Sequence, residues 1–281
     1  MSVNPLGEST TISRDPAPWA SDPQDDDAEV VNVNKYARFA DIYDVFGSED
    51  FCLTMTSHIL DALERYRMPP GAEVVDIACG TGVITIELAK AGYNMVGLDL
   101  SHNMLAHAQR RALASGVTAR FTRADMRTFR LQEKTPCIIS THDSLDHLFD
   151  DEELDLAFES ISQALRPGGL FIFDMNCWDG IRHLDGRTVF VETHDKSGAY
   201  HLIAEERTLE TNIVGFIQVE DNLYERFDET LYQRCYSNEE VEERLEEFGL
   251  ELLERKPIQH LKGDVFKQLW ITRKPSLPEY S

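Results

Sequence analysis

The stretch that most constrains this 281-residue chain is Val74-Val75-Asp76-Ile77-Ala78-Cys79-Gly80-Thr81-Gly82. Its apolar first half reads as a buried strand, its glycines as a tight turn, and the pattern from Val83 to Ala91 as a helix. Strand, glycine turn and helix in that order leave a crevice at the strand's carboxyl end. There Gly80 and Gly82 let a ligand approach the backbone, and the start of the helix offers unpaired N–H groups. Asp76 places a carboxylate beside that opening, which disfavours a phosphate and favours an amino group.

Two common glycine-loop readings are excluded. A dinucleotide fingerprint requires G-x-G-x-x-G, and Thr85 stands where the third glycine belongs. A phosphate loop requires a lysine after its last glycine, and the stretch has none. Strand-like and helix-like segments then alternate, as in a parallel sheet covered on both faces. Strands are predicted at 95–99, 119–122, 137–141 and 170–174. Helices follow a Ser101 cap, with Met104, Leu105 and Ala108 inward, and span 151–165 before a turn at Arg166-Pro167-Gly168-Gly169. Upstream, Phe51, Met55, Ile59 and Leu63 share one face of an amphipathic helix that Met68-Pro69-Pro70-Gly71 ends.

From Val189 to Tyr236 the period changes to two. Strand-like segments at 188–194, 199–209, 212–220 and 223–234 are split by Asp195-Lys196-Ser197-Gly198 and by Asp221-Asn222. An antiparallel insertion on the ligand-facing rim is expected, either closing over a substrate as a lid or pairing two copies as a homodimer. Ser237 then caps a helix to Phe248 with Glu240 as capping-box partner, Gly249 stops it, and strands near 250–257 and 265–273 complete seven in the main sheet. The expected organisation is a disordered acidic tail at 1–34, a ligand-binding core at 35–180, the insertion at 181–236 and completion of the core at 237–281.

The net charge is −23, from 50 acidic against 27 basic residues. That balance opposes a phosphate backbone, so nucleic acid is excluded as a partner. It suits a cationic substrate such as an amine, and equally an acidic surface that keeps a protein dissolved. Five cysteines, an odd number without a C-x-x-C pair, fit a reducing, cytoplasmic compartment. No apolar run reaches membrane-spanning length, so no membrane partner is expected.

Asp-x-x-x-Gly-x-Gly, followed by an acidic residue (Asp99) ending the next strand, resembles the class I S-adenosylmethionine-dependent methyltransferases over roughly residues 36–274. The resemblance implies an α/β, Rossmann-like, seven-stranded and mostly parallel sheet with helices on both faces, and S-adenosylmethionine as cofactor. Asp99 sits at a strand tip facing the crevice, where a carboxylate can accept both hydrogens of a ribose diol. By resemblance Leu100 and Met104 flank the adenine, Asp125 accepts from its amino group and Met126 supplies backbone contacts. Tyr36, Asp76, Ala78, Gly80 and Thr141 complete the cofactor set, with Thr141 and His142 beside the sulfonium.

The acceptor side is carried by Thr141-His142-Asp143-Ser144-Leu145-Asp146-His147-Leu148. It lacks the Pro-Pro-Tyr tetrad of nucleic-acid amino-methyltransferases. It is similar instead to small-molecule N-methyltransferases, among them amino-sugar N,N-dimethyltransferases and glycine N-methyltransferase, in which a His or Tyr stands at the place of His147. Phe39-Ala40-Asp41-Ile42-Tyr43-Asp44 is similar to the amino-terminal segment of the amino-sugar enzymes and places Tyr43 at the active site. Methyl transfer from a sulfonium is an in-line displacement that depends on positioning, and an amine must be neutral to attack. His147 and Tyr43 are therefore the catalytic candidates, accepting the amine's proton or aiming its lone pair. Trp178 and Tyr236 are candidates for lining the pocket. Asn176 stands near the place of the arginine by which the glycine enzyme holds its substrate, which argues against glycine. Arg38 is a candidate for the methionine carboxylate. No carboxylate cluster marks a metal site. The reading is thus methyl transfer to a small-molecule amine, with a hydroxyl acceptor or a non-catalytic cofactor-binding protein as the alternatives.

Overall fold

The structure, a computed structural model, describes residues 39–46 and 48–276. The tail, Tyr36 and Arg38 lie outside the described residues. Chain order runs α1 (Phe39–Ile42), a 3₁₀ turn (Tyr43–Phe46), α2 (Ser48–Arg65), β1 (Glu73–Ile77), α3 (Val83–Lys90), β2 (Asn94–Asp99), α4 (His102–Ser115), β3 (Ala119–Arg123) and β4 (Thr135–Ser140). It continues through a 3₁₀ turn (Ser144–His147), α5 (Asp151–Ala164), β5 (Leu165–Asn176), α6 (Trp178–Ile181), β6 (Thr188–Glu192), β7 (Lys196–Glu205), β8 (Thr208–Glu220), β9 (Leu223–Arg234), α7 (Asn238–Glu247), β10 (Glu251–Leu261) and β11 (Asp264–Arg273).

Seven strands form one sheet in the order β10-β11-β5-β4-β1-β2-β3. β1 to β5 run parallel, while β11 pairs antiparallel with both β5 and β10. The chain reverses between β1 and β4, so the crevice that the glycine turn needs lies at the carboxyl ends of those two strands. Every residue of β4 is buried, because helices cover both faces. On one face Met55, Ile59 and Leu63 of α2 pack with Leu88 of α3 against Val74, Ile139 and Ile172. On the other, Phe158 and Ile161 of α5 and Leu245 of α7 pack against Phe171, Phe173 and Trp270.

The helix caps follow the sequence. Ser101 accepts from the Met104 amide at 3.3 Å, and Ser237 with Glu240 forms a complete capping box. The expected turn at residues 166–169 is an irregularity within β5, where pairing jumps from Thr135–Leu165 to Cys137–Leu170 and Gly168 has φ +78°.

β6 to β9 form a second, antiparallel sheet. The turn at Asp221-Asn222 is where the sequence places it, and the two before it differ. Lys196, Ser197 and Gly198 belong to β7, and the central reversal is at Glu206-Arg207, both left-handed at φ +50° and +65°. Such a two-residue turn matches the strand twist, and pairing of β7 with β8 holds it although neither residue favours that conformation alone. The insertion is anchored to the rim of the core. Ile213, Phe227 and Leu231 pack on Ala40 and Ile42 of α1 and on Met104 of α4.

Candidate active site

The glycine turn is built by backbone that few residues adopt. Ala78, Gly80 and Gly82 have φ of +57°, +55° and +79°. A Cβ on Gly82 would lie 2.8 Å from the Ala108 Cβ, so only glycine lets α4 approach the loop. The Gly80 amide donates to Asp99 Oδ2 and the Ser101 amide to Oδ1, each at 2.8 Å. Burial pushes the Asp99 carboxyl above its usual value and these donors pull it back in part. Asp44 accepts from Thr81 Oγ1 at 2.8 Å and pairs with Arg111, which pins the Tyr43 turn across the loop. The Tyr43 ring consequently lies 4.0 Å from where a Gly80 Cβ would be.

A cavity of about 590 Å³ opens there between the core and the insertion. Gly80, Asp99, Leu100, Met104, Asp125 and Met126 line one end, with Ala78 and Tyr43. His142, Asp143 and His147 line the other, and Tyr200, Ile213, Leu231 and Gln233 of the insertion roof it. The volume is in the range of sites that bury a ligand of cofactor size.

At the β4 end, His142 and Asp143 are consecutive left-handed residues, φ +61° and +52°. The Asp174 carboxylate explains how they are held: it accepts from the His142 amide at 2.6 Å and the Asp143 amide at 3.0 Å. Lys267 of β11, 4% exposed at its side chain, pairs with Asp143 and lies 3.0 Å from Asp174 Oδ2. Burial alone would lower the Lys267 ammonium and raise Asp143. Their mutual attraction wins, so the lysine is raised and the aspartate held well below the carboxylate range. Burial, with the charge of Asp143 next, pushes the Asp146 carboxyl far up. Burial also lowers the His142 imidazole, Asp143 opposing, and leaves it neutral at pH 7.

A family model described as a methyltransferase domain matches residues 74–169. A protein of Geobacillus sp. (strain WCH70), named as a candidate methyltransferase, is 30% identical over 223 residues, 78% of this chain and 90% of its own length. The dTDP-3-amino-3,4,6-trideoxy-alpha-D-glucopyranose N,N-dimethyltransferase of Streptomyces venezuelae is 35% identical over 167 residues, 55% of this chain and 68% of its own. The chain belongs to the class I S-adenosylmethionine-dependent methyltransferases. The fold agrees: a methyltransferase of Clostridium acetobutylicum ATCC 824 superposes with a TM-score of 0.75 at 23% identity, over 86% of this chain and 99% of that one.

Within this methyltransferase the residues named from the sequence divide into three groups. Tyr43, Ala78, Gly80, Asp99, Leu100, Met104, Asp125, Met126 and His147 share the large cavity. Asp76 and Thr141 do not line it. Asp76 is 2% exposed with its carboxylate turned to Thr85 of α3, because strand alternation points it beneath the loop rather than into the opening. Thr141 is buried, and its carbonyl accepts from Ser144 Oγ. Trp178 and Tyr236 do not line the cavity; the Tyr236 hydroxyl donates to the Leu148 carbonyl at 2.7 Å and ties down the segment after His147. His147 has its tautomer set: Nδ1–H donates to the Tyr232 carbonyl at 3.2 Å, leaving Nε2 to accept from Gln233 at 3.4 Å.

Sequence reasoning missed Arg127 and Lys267. The Arg127 guanidinium and amide engage both oxygens of Asp125 at 2.6–3.1 Å. Burial would raise Asp125, but these bonds hold it lower than usual. The spacing of two residues made Arg127 findable; Lys267, 124 residues from Asp143, left no local signal.

Among the described residues no helix is long and apolar enough to cross a membrane.

Proposed function

We propose that this methyltransferase transfers a methyl group to the nitrogen of a small-molecule amine, in the cavity between core and insertion. The residues fit S-adenosylmethionine in order. Asp99 takes the ribose diol on the lone pairs its backbone donors leave. Leu100 and Met104 flank the adenine, Met126 offers its backbone, and Asp125 accepts the adenine amino group as Arg127 cedes an oxygen. Tyr43, pinned by Asp44 across Gly80, and the β4 end enclose the reacting centre. The bound cofactor supplies an electrophilic methyl carbon; the chain's part is to exclude water and aim a neutral nitrogen at it.

The observation that carries nitrogen is the imidazole-rich wall where His142, His147 and the Asp143 carboxylate line the cavity. It suits an acceptor that arrives protonated and must lose a proton before attack. The name of the Streptomyces relative, an amino-sugar N,N-dimethyltransferase, supports the same acceptor chemistry. The β6–β9 sheet serves as the lid over that acceptor.

Release of S-adenosylhomocysteine is measured with a panel of primary amines and their matched alcohols. Turnover of amines is expected. Turnover confined to alcohols refutes the nitrogen assignment, and cofactor binding with no turnover of either refutes catalysis on small amines.

A further inference from the structure

A second, smaller cavity of about 220 Å³ lies behind the β4 end. It shares His142, Asp143, Gln233 and Phe266 with the large cavity, so these four residues form the boundary between the two. Beyond them Phe51, Ile181 and Leu209 give an apolar side, and Gln259, Asn176 at the end of β5 and Lys267 on β11 give a polar one. Its volume is below that of sites for drug-sized ligands and admits a head group.

Two polar groups in this space have no hydrogen-bond partner among the described residues. One is the side-chain amide of Asn176, a residue only 3% exposed, whose backbone N–H alone is bonded, to Asp146 at 2.8 Å. The other is Nε2 of His142, whose Nδ1 lies 3.8 Å from Cys52 Sγ. Both residues line the cavity, where a ligand can complete their hydrogen bonds. Asp143 presents its carboxylate to both cavities, one oxygen engaged by Lys267 and the other by Gln233, each keeping a lone pair, and the Phe51 ring covers the lysine ammonium at 4.8 Å.

Resting on the amine reading above, we propose that the smaller cavity is the acceptor subsite: it takes the protonated head of a small primary amine between Asp143 and Asn176, and His142 Nε2 is the proton acceptor. The ammonium brings donors that the Asn176 amide oxygen, the Asp143 carboxylate and His142 Nε2 can accept. Position then fits chemistry, because His142 lines both cavities. The amine gives one proton to Nε2. Its freed lone pair forms the N–C bond while the S–C bond breaks, the electron pair staying on sulfur, and the imidazolium returns the proton to solvent. The groups facing the imidazole are Asp143, Asp174, Lys267, Asp44, Tyr43 and Cys52. His147, held between Tyr232 and Gln233, becomes a positioning residue that orients Gln233 on Asp143.

The test uses the full chain loaded with S-adenosylhomocysteine and primary amines from ethylamine to glucosamine. Binding is read on the His142 ring proton by NMR, assigned with His142→Asn. Asparagine tolerates the left-handed backbone of that position and keeps the turn. The same amines are assayed for turnover with S-adenosylmethionine. Expected are an amine-dependent shift of the His142 signal and a loss of at least tenfold in amine affinity in Asn176→Leu with unchanged S-adenosylhomocysteine affinity. Also expected is a His142→Asn enzyme whose kcat falls at least tenfold and loses its acidic limb. Amine turnover with KM untouched by Asn176→Leu and a wild-type pH profile in His142→Asn overturns the subsite and leaves the amine function standing. A His142 signal that no amine moves, in protein that binds S-adenosylhomocysteine, also overturns the subsite. Amines that bind at His142 while only alcohols are turned over overturn the amine reading and the proton role together.

Discussion

Replacing Lys267 with methionine removes the one ammonium between Asp143 and Asp174 and keeps most of the side chain's volume. The lysine side chain is 4% exposed, and its Nζ lies 3.0 Å from Asp174 Oδ2. At an effective dielectric of about 20, one such pair is worth roughly 5 kcal/mol before desolvation is subtracted. Removing a single partner of a buried pair leaves uncompensated charge and costs about 3–5 kcal/mol net. For a chain of this size that is a fall in melting temperature of about 6–20 °C, at about 2–4 °C per kcal/mol. Adding Asp143→Asn to the lysine variant relieves the excess charge, and asparagine accepts the left-handed backbone at that position. The double variant is therefore expected to recover part of the loss, with a coupling energy of about 1–3 kcal/mol. The pH dependence follows from the shifts. The stability owed to the depressed Asp143 carboxyl is present above the unfolded value near 4 and is lost as pH falls through the folded value. That owed to the raised Lys267 is present below about 10.4 and is lost as pH rises through the folded value. The cost of Lys267→Met is thus flat between about pH 5 and 9. Urea denaturation followed by circular dichroism measures it. A single variant within 1 kcal/mol of the parent, or a double variant worse than the sum of its parts, refutes the buried-charge argument.

Three further outcomes are expected. Asp99→Ala removes the carboxylate that Gly80 and Ser101 hold for the ribose, and calorimetry should show S-adenosylhomocysteine bound about 100-fold more weakly, at roughly 1.5–3 kcal/mol per charged hydrogen bond. Burial raises the Asp76 carboxyl to about 7, with Thr85 opposing, so the stability owed to its protonated form is present below about pH 4 and lost as pH rises through 7. Urea titrations at pH 5 and 8 should find the parent losing about 2–3 kcal/mol relative to Asp76→Asn. Ser237→Ala breaks the capping box with Glu240, and thermal melts should show a loss of about 1 kcal/mol with cofactor affinity unchanged.

The local features of the chain were legible from its residues alone. The glycine turn, the caps at Ser101 and Ser237, the two-residue period of the insertion and Asp99 at a strand tip each depend on residues within a few positions of one another. Backbone conformation and strand or helix period act over that range. The turn at Glu206-Arg207 was not legible, because two residues with no intrinsic left-handed preference are held there by the register of β7 on β8. Asp76 read as a cavity residue until the pleat turned it toward Thr85. The acceptor side emerged only once the strands were assembled. Lys267, Asp143, Asp174 and Gln233 come from three strands and a turn and meet because β11 inserts antiparallel beside β5 while the insertion folds back over the rim. Charge pairing of that kind acts through space in a dry interior, and its strength depends on distances and burial that no spacing along the chain records.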